Sequence, residues 1–215
     1  RPRVLRASAR AGYLLGSLAG EPIRVTIQHE PWQHERPPTH YELFDTADRP
    51  ITSGRLDVGI HDLSLDVPGP GIYRLRCFSR GRGFKLTVPP EVPGALRLEA
   101  GETYRPSGYL PPVYFYVPRG TGEVLFHAHR CGPVVMRDGD GNIAHRSLSE
   151  GRFESVPVPA GQDGRVWSLG DAIDGFGAGM RLRTFSFLNL PNALSFDPRR
   201  VFVARETAER DGLKR

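Results

Sequence analysis

The feature that most constrains this chain is an internal repeat. Thr26-Ile27-Gln28-His29 is followed by Tyr41-Glu42-Leu43-Phe44-Asp45, the turn Ala47-Asp48-Arg49-Pro50-Ile51, then Leu65-Asp66-Val67-Pro68 and Gly71-Ile72-Tyr73-Arg74-Leu75. The same order returns as Val124-Leu125-Phe126-His127, Val134-Val135-Met136-Arg137-Asp138, the turn Gly139-Asp140-Gly141-Asn142-Ile143, Val156-Pro157-Val158-Pro159 and Gly164-Arg165-Val166-Trp167-Ser168-Leu169. Asp45 to Asp138 and Tyr73 to Val166 are offset by 93 residues, Ile27 to Leu125 by 98, so the first copy carries about five extra residues in one loop. A repeat this long is a domain duplication, because solenoid periods run at only about 20 to 50 residues. Each half is long enough to bury its own core. The expected domains are 1–93 and 94–215, divided where Pro89, Pro90, Pro93 and Gly94 cluster.

Within each half, short apolar runs alternate with turn residues. The 25 glycines and 20 prolines fall between these runs, and Ile23-Arg24-Val25-Thr26-Ile27-Gln28 alternates apolar and polar with the period of a half-buried strand. Strands are expected at 13–15, 23–28, 39–44, 62–67, 71–78 and 83–88, with Ala95-Leu96-Arg97-Leu98 opening the second unit. That unit continues at 113–117, 123–128, 133–137, 153–158, 165–169, 184–190 and 201–204. Its glycine-rich stretch 170–179 has no counterpart in the first copy, and the charged tail 206–215 is expected to fray. The fold class is all-β, as two tandem antiparallel β-sandwich domains of Ig-like or jelly-roll type.

Bulk properties narrow the function classes. The net charge of +5, from 29 basic and 24 acidic residues, is spread along the chain instead of concentrated beside aromatics, so no nucleic-acid partner is expected. Membrane insertion is not expected either, since no apolar run approaches the roughly 18 residues of a spanning helix. The start Arg1-Pro2-Arg3-Val4 has no initiator Met and no signal-peptide core, so a piece of a longer protein is expected. Cys77 and Cys131 fall at non-equivalent positions of the two copies; two separate small hydrophobes or one bridge between the units both fit.

Three runs in the second half carry a resemblance. Pro112-Val113-Tyr114-Phe115-Tyr116-Val117-Pro118-Arg119-Gly120-Thr121, Val134 to Gly141, and Val158-Pro159-Ala160-Gly161-Gln162-Asp163-Gly164-Arg165-Val166-Trp167-Ser168-Leu169 resemble bacterial extracellular jelly-roll modules. These are of the pre-peptidase C-terminal type and the accessory domains of secreted glycoside hydrolases. The likeness covers about 104–191, and more faintly 22–88. It implies an extracellular or periplasmic location, and its motifs are turn and core features that specify fold more than activity.

Candidate chemistry is sparse. Asp138-Gly139-Asp140-Gly141-Asn142 sets two carboxylates and an amide oxygen on one turn, the hard donors calcium takes, with a further oxygen required from another loop. Asp138, Asp140 and Asn142 are therefore the candidate metal ligands for calcium, although the same residues suit a hairpin turn needing positive φ, and apart from calcium there no cofactor is expected. His127 and His129 share a strand face that Cys131 would continue, a zinc or copper row unless Gly132-Pro133 ends the strand. A looser grouping is His29, Trp32, His34 and His40.

The extra residues lie in Glu30-Pro31-Trp32-Gln33-His34-Glu35-Arg36-Pro37-Pro38. A tryptophan in a proline-stiffened polar loop suits a sugar platform, with Gln33, Glu35 and Arg36 bonding hydroxyls; the other reading folds Trp32 over a neighbouring strand. No nucleophile motif is present, so no catalytic residue is assigned. The paired acids Glu35 with Asp45, or Asp171 with Asp174, are of a kind any surface offers. The expectation is a non-catalytic accessory, spacer or interaction module of a larger secreted or surface bacterial protein, whose partner is a glycan or another domain of that protein. The alternatives are a carbohydrate-binding module centred on Trp32 and a hydrolase with its site at the domain junction.

Overall fold

The computed structural model describes residues 3–7, 10–29, 38–79, 83–97, 112–129, 134–147, 152–171, 184–190 and 193–213. The fold is all-β, antiparallel and sandwich-like, and divides into two compact units, one ending its described strands at Arg97 and one holding 112–213.

The first unit contains β1 (Arg3–Ala7), β2 (Arg10–Ser17), β3 (Ile23–His29), β4 (Thr39–Phe44), β5 (Pro50–Leu56), β6 (Ile60–Leu65), β7 (Gly71–Ser79), β8 (Phe84–Val88) and β9 (Gly94–Arg97). One sheet has the order β5-β4-β7-β2-β9, the other β1-β8-β3-β6. Alternation assigns the faces. Tyr13, Leu15, Leu43, Tyr73, Leu75 and Cys77 point inward from the first sheet, and Ile23, Val25, Ile27, Phe84, Leu86 and Val88 from the second, all buried. The two sheets are tied where His29 Nδ1 meets Thr39 Oγ1 at 2.7 Å. Cys77 is a free thiol, and complete burial pushes its pKa up.

The second unit contains β10 (Val113–Val117), β11 (Glu123–His129), β12 (Val134–Arg137), β13 (Ile143–Ser147), β14 (Arg152–Pro157), β15 (Arg165–Asp171), β16 (Thr184–Phe187), β17 (Ala193–Ser195) and α1 (Arg205–Asp211). Its sheets run β13-β12-β15-β10-β17 and β14-β11-β16. Phe115 of the first meets Phe187 of the second at 4.7 Å between ring centroids. Trp167 is fully buried beside Phe115.

Strand by strand, β5-β4-β7-β2-β9 matches β13-β12-β15-β10-β17, and β6-β3-β8 matches β14-β11-β16. Registers agree as well. Leu43 faces Leu75 as Met136 faces Leu169, and both hairpins bulge one residue later. Leu15 faces Tyr73 as Phe115 faces Trp167. The β3·β6 ladder extends to the bond from His29 N–H to Gly59 O, and the β11·β14 ladder to that from Val158 N–H to Gly122 O. Residues 59–65 therefore correspond to 152–158, the same offset of 93 as in the hairpins.

Several sequence expectations are corrected by this register. Tyr73 corresponds to Trp167, one residue beyond Val166. Ile27 cannot correspond to Leu125, because Ile27 points inward whereas Val124 and Phe126 do so in β11; a slip of one residue turns every side chain to the other face. Gly94–Arg97 pairs with β2 instead of opening the second unit. β1, β5, β13 and β17 add strands that the pattern did not reveal. Residues 201–204 form no strand but lead into α1, and the tail expected to fray is anchored as far as Leu213. Asp211, 4% exposed, accepts hydrogen bonds from the Tyr116 hydroxyl at 3.0 Å and the Arg119 N–H at 2.9 Å, and Gly212 closes the helix at φ 68°.

Candidate functional site

The turn expected to hold calcium is built from its own hydrogen bonds. The Asp140 and Asn142 N–H groups both donate to Asp138 Oδ1 at 2.9 Å, the Asn142 amide donates to Oδ2 at 3.3 Å, and the Asp138 N–H reaches Asn142 O at 2.9 Å. Asp140 faces away toward a guanidinium: its carboxylate accepts from Gln162 Nε2 at 2.6 Å and pairs with Arg165 at 2.7 Å. These two donors, Gln162 foremost, hold the Asp140 carboxyl below its usual range. The carboxylate oxygens of Asp138 and Asp140 thus already receive N–H donors, and a positive charge sits beside Asp140. Among the described residues no group of three His, Cys, Asp or Glu is arranged to hold a metal.

Trp32, Gln33, Glu35 and Arg36, together with His34, lie outside the described residues. The strand ends flanking that loop are defined. His29, at the end of β3, is buried with its Nε2 finding no hydrogen-bond partner among the described residues. Burial, and secondly the charge of His61, push its pKa down. His40 points to the opposite face and stacks on Phe78 at 4.9 Å, so the expected histidine grouping is split by strand alternation. Of the paired acids, Asp45 closes the first hairpin turn; Glu35, Asp174 and the Asp171 side chain are outside the described set.

The row expected for zinc or copper is described only at the His127 side chain. His127 faces outward on β11 and packs on Phe153 of β14 at 4.8 Å between ring centroids. The His129 side chain and Cys131 are outside the described residues. Around this pair the outer face of β14-β11-β16 carries Leu125 beside Leu188, whose N–H donates to Leu125 O at 2.9 Å. Asn189 fixes that corner, accepting from the Leu125 N–H and donating to Glu123 O at 2.9 and 2.7 Å. Glu123 accepts from the Ser155 hydroxyl at the rim. Phe153 is 74% exposed and Leu188 55%.

The corresponding face of the first unit is polar. Gln28 stands where His127 does, Thr26 where Leu125 does and Thr87 where Leu188 does, and Thr26 donates to Asp62 at 2.6 Å. Among the described side chains of that face, Ile60, 68% exposed, keeps the apolar character of Phe153. Sequence reading missed Phe153 and Leu188, since one aromatic in a strand reads as core until its phase is known; the equivalence of Ile60 and Phe153 at the 93-residue offset was the available signal.

Comparison with protein-family models, curated proteins and solved structures finds no match to this chain. No described helix is long and apolar enough to cross a membrane.

Proposed function

We propose that the chain is a tandem of two copies of one β-sandwich unit and acts as a non-catalytic accessory or interaction module of a larger extracellular protein. The observation that supports this reading is the shared strand order and register of the two units. Its polar groups point the same way, because Asp45, Asp138, Asp140 and Asp211 are engaged in closing turns and anchoring the tail. The extracellular setting rests on the resemblance to bacterial jelly-roll modules.

Two measurements test it. Turnover of ester, glycoside, peptide or phosphate model substrates that survives repurification and is lost in a point variant would overturn the non-catalytic half. An experimental structure with Leu43 and Met136, or Leu75 and Leu169, in different sheet positions would overturn the tandem half. A second reading, carbohydrate binding centred on Trp32, is favoured by the length of the β3–β4 connection, five residues more than that of β11–β12. Trp32→Ala should then abolish binding to a polysaccharide panel while leaving the melting temperature nearly unchanged.

A further inference from the structure

The outer face of β14-β11-β16 is apolar where the same scaffold in the first unit is polar, so folding alone does not require Phe153, His127, Leu125 and Leu188 there. We infer that this face binds a neutral sugar chain, with Phe153 as the stacking ring. The inference rests on the interaction-module reading and gives it a ligand class.

Size argues for a small occupant. Three strands about 4.8 Å apart and side chains two residues apart give an apolar centre of about 10 by 7 Å. A platform of that size matches one or two sugar rings, whereas a standard protein partner, burying roughly 800 Å², would have to extend well past it. Chemistry narrows it further. An exposed aromatic ring offers its face to the C–H side of a pyranose, while Glu123 and the Ser155 hydroxyl at the rim can exchange hydrogen bonds with ring hydroxyls. Glu123 is the one charged group among the described side chains of the face, and its sign disfavours a uronate or sulfated polymer. The platform is also pre-formed, because three backbone-directed hydrogen bonds hold Leu188 and Asn189 against β11.

The test titrates the full chain with cellohexaose, xylohexaose and polygalacturonate. Binding of a neutral hexasaccharide that weakens at least tenfold in Phe153→Ala and in Leu188→Asn, and is unchanged in Ile60→Ala, is the expected result. No binding of either hexasaccharide, preference for polygalacturonate, or binding unaffected by Phe153→Ala would each overturn it. So would a concentration-dependent dimer, seen by light scattering, that Phe153→Ala dissociates, since the face would then serve a second copy of the chain. Failure in any of these ways leaves the accessory-module reading standing, whereas hydrolysis of the hexasaccharide would sink that reading instead.

Discussion

Asp45 and Asp138, 93 residues apart, each accept the backbone N–H groups two and four residues further on at the tip of equivalent hairpins. Asp48 at φ 57° and Gly141 at φ 86° occupy the same left-handed position. Asp138 is the more buried of the two acids. Removing its acceptor in Asp138→Ala should cost about 2 kcal/mol in urea unfolding, with a smaller loss for Asp45→Ala. Millimolar calcium should leave the melting temperature of the wild type unmoved.

Tyr116 and Asp211 set opposite pH limits on the tail. The Arg210 hydrogen bond, helped by Arg119 N–H and the Tyr116 hydroxyl, holds Asp211 down at about 2. The stabilisation is complete above the ordinary carboxylate value and is lost as pH falls from about 4 toward 2. Burial, then the Asp211 bond, pushes Tyr116 up to about 12, so its contribution is present below pH 10 and is lost as pH rises from 10 to 12. Proteolytic release of the C-terminus should show both limbs, and Asp211→Asn should remove the acid one.

His29 adds a limb near neutrality. Its folded-state pKa lies below the ordinary 6.5 because it is buried and near His61, so the unfolded chain takes up the proton first and stability declines as pH drops below 6.5. His29→Gln, which keeps a partner for Thr39, should flatten the melting temperature between pH 7 and 5. An unchanged slope would assign that pH dependence elsewhere.

Tyr73 and Trp167 are equivalent core aromatics, and each bonds the loop before its strand. The Tyr73 hydroxyl donates to Gly69 O at 2.6 Å, and Trp167 Nε1 donates to Gln162 O at 2.9 Å. Trp167→Ala should destabilise by about 3–5 kcal/mol. Trp167→Phe keeps most of the buried area but leaves a carbonyl unpaired, so a smaller loss of about 1–3 kcal/mol is expected from chemical denaturation.

The parts legible in the sequence were those written within a few residues. The hairpin turns were readable because Asp, Gly and Asn carry their own backbone chemistry, and β3 because it alternates. Val124-Leu125-Phe126 has no alternation, so its phase was undetermined and the equivalence to β3 slipped. β5 is an edge strand with Pro50, Ser53 and Gly54, whose polar and small residues look like loop. The seven residues of α1 lack an apolar stripe, and what fixes them is Asp211 meeting Tyr116 across 95 positions. Such a contact leaves no local signature, and neither does the outward phase of Phe153.

The constant spacing from β4 to β6 and from β12 to β14 gives each unit a polarity. Differences in length between the units fall largely in the connections β3–β4 against β11–β12 and β7–β8 against β15–β16. In the first unit these leave from His29, Thr39, Ser79 and Phe84, which adjoin one another in the sheets; in the second, from His129, Val134, Asp171 and Thr184, paired likewise. One pole of each unit is thus dimensionally fixed by its self-closing turn, while the other accepts chain of different lengths without disturbing strand register. Novel segments grafted onto this scaffold belong at the accommodating pole, and lengthening the Asp45 or Asp138 turn should instead unseat an entire hairpin.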